Sequence, residues 1–119
     1  MRIMIIEDNA RMRAMIKQML MKNLPNIETI HECEDGVEAV RQFAQFQPDW
    51  VLMDVELKTM DGLAATATIT SANPQARIII VTNYDYPEYR EAAKSAGAYD
   101  FVLKENLWNI PRLINAKHI

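Results

Sequence analysis

The sequence predicts an α/β domain: a doubly wound, three-layer sandwich with a parallel sheet between helices. Three observations predict it. The short apolar runs Ile3–Ile6, Trp50–Met53, Ile78–Val81 and Phe101–Leu103 lack polar alternation, as strands buried on both faces do. Helical patterns separate them, so strand-like and helix-like segments alternate five times over the 119 residues. Each run also ends in a residue able to act on a phosphate: Glu7 with Asp8, then Asp54, Thr82 and Lys104. Ligands of open α/β sheets bind at the carboxyl ends of the strands, which would bring these groups to one rim.

The elements follow in order. After the first run, Met12, Met15, Ile16, Met19 and Leu20 form the i, i+3, i+4, i+7, i+8 stripe of an amphipathic helix. Its methionines, Met21 included, read mainly as flexible core packing. Pro25 and Asn26 close that unit. Residues 27–33 read as a weaker edge strand, with Glu28 and Glu32 on one face and His31 as an edge residue rather than a metal ligand. Asp35 and Glu38 have capping-box spacing for a second helix, with Val37, Val40 and Ala44 facing inward.

Past the third strand, Asp61-Gly62 caps a threonine-rich third helix carrying Leu63 and Ile69, and Pro74 ends it. Asp85 is expected to cap a fourth helix, with Pro87 in its first turn and Glu88 at the capping-box position. Tyr89, Ala92, Ala93 and Ala96 make its apolar stripe, and Gly97 suits the position after it. Pro111 is tolerated only near a helix start, so the fifth helix is placed from about Asn109 toward Lys117-His118-Ile119.

Composition narrows the class. Half of the residues are hydrophobic, which suits a single folded domain over 1–119. A net charge of −3 argues against this domain binding nucleic acid or an anionic membrane directly. Cys33 has no partner for an internal disulfide and reads as a small buried residue, which suits a reducing cytoplasm. Glu7 and Asp8 cut the first apolar run well below the roughly 7–15 residues of a signal-peptide core. No run reaches the roughly 18 apolar residues of a membrane span. A soluble cytoplasmic domain is the expectation.

The rim residues suggest their own chemistry. Two carboxylates about 4 Å apart repel by about 4 kcal/mol at an effective dielectric near 20. Glu7, Asp8 and Asp54 therefore call for a cation, and Mg²⁺, which takes one or two carboxylates plus phosphate, suits them; Mn²⁺ is an acceptable substitute. Asp54, held rigidly at the end of an apolar strand, has the character of a nucleophile that accepts a phosphoryl group. Lys104 adds positive charge and Thr82 a hydroxyl donor.

Glu7-Asp8, Asp54, Thr82 and Lys104, in this order and at these intervals, resemble the response-regulator receiver domain, the CheY-like module of two-component signalling. Met60-Asp61-Gly62 and Ala96-Gly97-Ala98-Tyr99-Asp100-Phe101 strengthen the likeness, which covers essentially the whole chain. The resemblance implies a flavodoxin-like fold with strand order 2-1-3-4-5. It implies that Asp54 takes phosphate from a sensor histidine kinase or phosphotransfer protein. It further implies that Asp8, Asp54 and the backbone carbonyl of Glu56 hold Mg²⁺, with Glu7 acting partly through water. Thr82 and Phe101 would form the switch pair.

Departures from the commonest pattern are informative. Asn83 stands where a smaller residue is frequent, and Glu105 where proline is often found, so the peptide after Lys104 need not be cis. Glu56 and Tyr84 flank the site and, with Asn83, are candidates for modulating access to it. The Leu-Lys-Glu-Asn ending resembles receivers of LuxR-type transcription regulators, which modestly favours a linked DNA-binding effector domain outside this chain over a stand-alone receiver; homodimerisation is compatible with either reading. The rival readings are a Mg²⁺-dependent phosphatase with an aspartate nucleophile, echoed by Asp54-Val55-Glu56, a flavodoxin-like cofactor binder and a purely structural interaction domain. The phosphatase would need its nucleophile after the first strand and a substrate cap. The cofactor binder would need glycines where Glu7-Asp8-Asn9 stand.

Overall fold

In the computed structural model, which describes residues 1–117, the sheet runs β1 (Arg2–Ile6), β2 (Thr29–Cys33), β3 (Trp50–Asp54), β4 (Ile78–Thr82) and β5 (Asp100–Leu103). The helices are α1 (Ala10–Asn23), α2 (Gly36–Phe46), α3 (Gly62–Ala72), α4 (Pro87–Ser95) and α5 (Asn109–Lys117), with a 3₁₀ turn at Lys104–Asn106. His118 and Ile119, included in the expected fifth helix segment, lie outside the described residues. The strands pair in parallel in the order β2-β1-β3-β4-β5. This is the flavodoxin-like arrangement, with β1 and β3 at the point where the chain reverses direction across the sheet.

Three of the four apolar runs are central strands; Phe101–Leu103 is instead the edge strand β5, where only Val102 is buried, because no strand covers its outer side. Every residue of β3 and β4 is buried. Their alternate side chains feed two cores. Met4, Ile6, Val51, Met53, Ile78 and Ile80 meet Ala39, Phe43, Ala65, Ile69 and Ala93 from α2, α3 and α4. Ile3, Ile5, Trp50, Leu52, Ile79 and Val81 meet Ile16, Leu20, Ile110 and Ile114 from α1 and α5 on the other face. β2 is an edge strand, as its mixed pattern predicts, but begins at Thr29 rather than at residue 27. His31 bonds Gln42 there and stacks on Phe46, with ring centroids 4.9 Å apart.

Several local expectations need correction. Met15 and Met21 are exposed rather than packed, because α1 buries Ile16 and Leu20 and turns only Met12 and Met19 part-way inward. In α2 the inward residues are Ala39 and Phe43; Val37 and Ala44 face solvent and Val40 packs at the margin. The Asp35 side chain does cap that helix, accepting from the Glu38 amide at 2.8 Å, but Glu38 turns to Arg41 and Gln42 instead of reaching back. Asp61 caps α3 in the same way, accepting from the Ala64 amide at 2.8 Å. Asp85 caps nothing: α4 begins after Tyr86 without a side-chain cap, and Asp85 pairs with Arg90. The backbone reaches α4 one residue later than the capping pattern requires. Gly97 takes the left-handed conformation after α4, with φ +83°.

Among the described residues no helix is long and apolar enough to cross a membrane. Cys33 is buried and donates to Gln42 Oε1 at 3.1 Å. Burial, followed by the charges of Glu38 and Asp35, pushes its thiol up to about 11, so it is unreactive packing.

Candidate functional site

The sheet register assembles the rim. Ile6 pairs with Met53, so Glu7 and Asp54 follow side by side. Asp54 is level with Val81, and Thr82 with Leu103, which brings Lys104, the first residue of the 3₁₀ turn after β5, to the same rim. One carboxylate oxygen from each of Glu7, Asp8 and Asp54 lies within 4.8 Å of the others. Lys104 enters from the far side, its Nζ 2.7 Å from Glu7 Oε1 and 3.3 Å from Asp54 Oδ2. Glu7 and Asp54 are buried while Asp8 is exposed, so the cluster opens to solvent on one side.

This cluster forms the floor of a cleft of about 420 Å³. Glu56, Asn83 and Tyr84, the candidates for modulating access, all line it, as do Arg11 and Met12 from α1. Thr82 is fully buried at the end of β4, where its Oγ1 accepts from the Tyr84 amide at 3.3 Å. Phe101 is half-buried on β5 and carries the Arg90 guanidinium 4.5 Å above its ring. It therefore stands toward α4, away from the cleft lining.

Local structure fixes the floor. Asn9 caps α1 by accepting from the Met12 amide, and its own amide donates to Glu7 Oε2 at 3.1 Å. Arg13 donates to the Glu7 carbonyl at 2.8 Å, which holds the β1–α1 turn from the helix side. Gly62 lies so close to the end of β3 that a Cβ on it would stand 1.8 Å from the Asp54 carbonyl oxygen. The sequence marks Gly62 as a helix start; its backbone approach to Asp54 crosses a gap of several residues that no local pattern reveals.

The electrostatics are those of a site waiting for positive charge. Burial, reinforced by the Glu7 charge and only partly opposed by Lys104, raises the Asp54 carboxyl to about 7. Burial works against the charge of Lys104, but its hydrogen bond to Glu7 and the neighbouring carboxylates outweigh it and hold the ammonium above the usual lysine range. Asp54 Oδ1 is buried with no hydrogen-bond partner. A buried carboxylate oxygen without a partner is costly unless something binds it. Three hard oxygen donors with an unpaired one among them fit Mg²⁺ or Mn²⁺. Among the described residues this is the cluster of acidic, histidine or cysteine side chains with metal-binding spacing.

A five-stranded 2-1-3-4-5 sheet with three acids and a lysine at its carboxyl rim defines a class, and comparison with known proteins agrees. Residues 3–116 match the Response regulator receiver domain. The chain belongs to that family. It is 40% identical over 103 residues to the chemotaxis protein CheY of Bacillus subtilis, spanning 87% of this chain and 84% of that one. A LuxR-family two-component response regulator from Aurantimonas sp. SI85-9A1 superposes with a TM-score of 0.89 at 30% identity, covering 98% of this chain and 83% of that one. A protein-glutamate methylesterase/protein-glutamine glutaminase of Koribacter versatilis is 37% identical over 105 residues, which cover 87% of this chain but only 28% of that protein.

Proposed function

We propose that this chain is a phosphorylation-dependent switch whose acceptor is Asp54. The observation that carries the reading is the state of that carboxylate: buried, with Oδ2 on Lys104 and Oδ1 unpaired at the floor of a solvent-reaching cleft. In the transfer, a carboxylate oxygen of Asp54 attacks the phosphorus of a phosphohistidine. An O–P bond forms, the P–N bond breaks, and the leaving imidazole nitrogen takes up a proton. The reaction needs positioning and charge neutralisation more than covalent help.

Glu7, Asp8, Asp54 and the backbone carbonyl of Glu56 would hold Mg²⁺. When bound, the ion supplies the positive charge that offsets the acids and the incoming phosphoryl oxygens. Lys104, already at the acceptor, moves its ammonium from the carboxylate onto a phosphoryl oxygen. Thr82 offers its hydroxyl to another. Drawing Thr82 toward the phosphate frees space behind it, and Phe101 follows inward, giving up its contact with Arg90. The surface of α4 and β5 is then reshaped, which is the signal.

In this reading residues 1–119 are one receiver unit on the cytoplasmic side. It is served by a sensor histidine kinase or phosphotransfer protein and acts on transcription through a DNA-binding effector domain outside the chain. The likeness to LuxR-family regulators supports that output. The phosphatase alternative gains nothing from the site, since Glu56, the second acid of Asp54-Val55-Glu56, is engaged by Tyr89.

Incubation with Mg²⁺ and a small acyl-phosphate donor tests the proposal by intact mass. One phosphate is expected on the wild type and none on Asp54→Asn; an equally phosphorylated variant overturns the assignment. Hydrogen exchange of α4 and β5 should change with a phosphate analogue, and identical exchange would remove the switch.

A further inference from the structure

Tyr84 in the cleft wall begins an aromatic row that ends in a hydrogen bond to the loop after β3. Tyr84 stacks on Tyr86 with centroids 5.2 Å apart, and Tyr86 meets Tyr89 edge-on, also at 5.2 Å. Tyr89, on α4, donates its hydroxyl to Glu56 Oε2 at 2.7 Å. Glu56 lies two residues beyond Asp54 and lines the same cleft, yet its carboxylate stands outside the cluster formed by Glu7, Asp8 and Asp54. That hydrogen bond, chiefly, pushes the Tyr89 phenol up to about 12, so the donor proton stays in place through the physiological range.

We infer that Tyr89 is a positioning residue for phosphoryl transfer: its hydroxyl holds the Glu56 carboxylate at the cleft margin, out of the path of an anionic donor. The inference rests on the reading of Asp54 as acceptor. The charges show why such a restraint matters. Glu7, Asp8, Asp54 and Glu56 face Lys104 and Arg11 across the cleft, an excess of negative charge before a divalent cation enters. A further carboxylate swinging inward would stand near the incoming phosphoryl oxygens. At about 6 Å and an effective dielectric of about 40, that repulsion corresponds to roughly tenfold in rate. The same inward carboxylate would add a hard oxygen ligand beside the metal site. Tyr89 thus separates two effects of Glu56, keeping its backbone at the site and its side chain off it.

A double-mutant cycle tests this. In the wild-type background, Tyr89→Phe removes only the hydroxyl. It is expected to slow phosphorylation of Asp54 by a small acyl-phosphate donor about three- to tenfold at low salt, less at high salt, and to tighten Mg²⁺ binding by a similar factor. In a Glu56→Gln background no carboxylate is released, and Tyr89→Phe should move neither quantity. If Tyr89→Phe has the same effects in both backgrounds, Tyr89 acts only through packing and the inference fails. It also fails if Tyr89→Phe changes neither quantity in the wild type. Should the wild type take no phosphate, the functional reading falls, and the Mg²⁺ titration alone still decides whether Tyr89 restrains Glu56.

Discussion

Lys104 stands nearer to Glu7 than to Asp54: its ammonium lies 2.7 Å from the first carboxylate and 3.3 Å from the second. The side chain that meets Asp54 is thus anchored by a second buried acid. Lys104→Ala leaves both acids buried without their cation, and breaking a buried pair in this way costs about 3 kcal/mol. Metal should still bind the remaining carboxylates. The expected outcome is a large loss of stability in EDTA, most of it recovered by Mg²⁺, with phosphorylation at least about tenfold slower. Urea unfolding with and without Mg²⁺ measures the first, and intact-mass kinetics the second. Loss of Mg²⁺ binding altogether would show that Lys104 organises the metal site.

Asp54 gives the metal-free protein a pH dependence of unusual sign. Its folded value of about 7 lies above the ordinary carboxylate value, so the protonated form favours the folded state. This contribution is fully present below about pH 4, the unfolded value, and is lost as pH rises toward 7. Asp54→Asn should therefore be more stable than the wild type at pH 7.5 in EDTA, by up to about 4 kcal/mol, and nearly equal to it at pH 4. Denaturation at the two pH values checks this. Equal stability at both would mean that the carboxylate is not strained by burial.

Gly62→Ala should damage the fold and the site together. The added Cβ would meet the Asp54 carbonyl oxygen at 1.8 Å and the Met53 Cγ at 2.9 Å. Backbone, not a flexible side chain, must move, so a loss of about 2 kcal/mol or more is expected in thermal unfolding. Phosphorylation should fall as well, because the displaced strand end carries Asp54, the proposed acceptor. A stable, fully phosphorylated variant would contradict the close approach.

The helix caps offer a contrast. Asp61→Ala removes an acceptor from the α3 terminus and should cost about 1 kcal/mol. Asp85→Ala removes only an exposed pair with Arg90, and should change stability by less than about 0.5 kcal/mol. Chemical denaturation of the two variants tests the observed start of α4, since equal losses would restore Asp85 as a cap.

The contrast also marks where sequence reading reached its limit. Ile78–Val81 and Trp50–Met53 are legible as central strands because nothing but a doubly covered sheet hides so many consecutive apolar residues. The gathering of Glu7, Asp8, Asp54 and Lys104 is legible for the same reason, since strand ends fix where side chains emerge. What failed was angular. In α2 the inward face holds Ala39 and Phe43, not Val37 and Ala44, because β-branched character at the start of a helix did not decide which way it was turned. In α1 a run of methionines satisfied the helical stripe on more than one side, so only packing could separate Ile16 from Met15. The Tyr89–Glu56 bond spans 33 residues and joins two exposed polar groups. Such a contact leaves no periodic trace.

The sheet margin at β2 carries a last consequence. Glu32 lies on that outer strand and draws both Arg13, at 2.9 Å, and Lys17, at 3.3 Å, across from α1. A foreign strand seeking to extend the sheet would have to press against this lattice of alternating charges and strip water from it. Charge beside this edge thus disfavours strand-to-strand pairing of copies at β2.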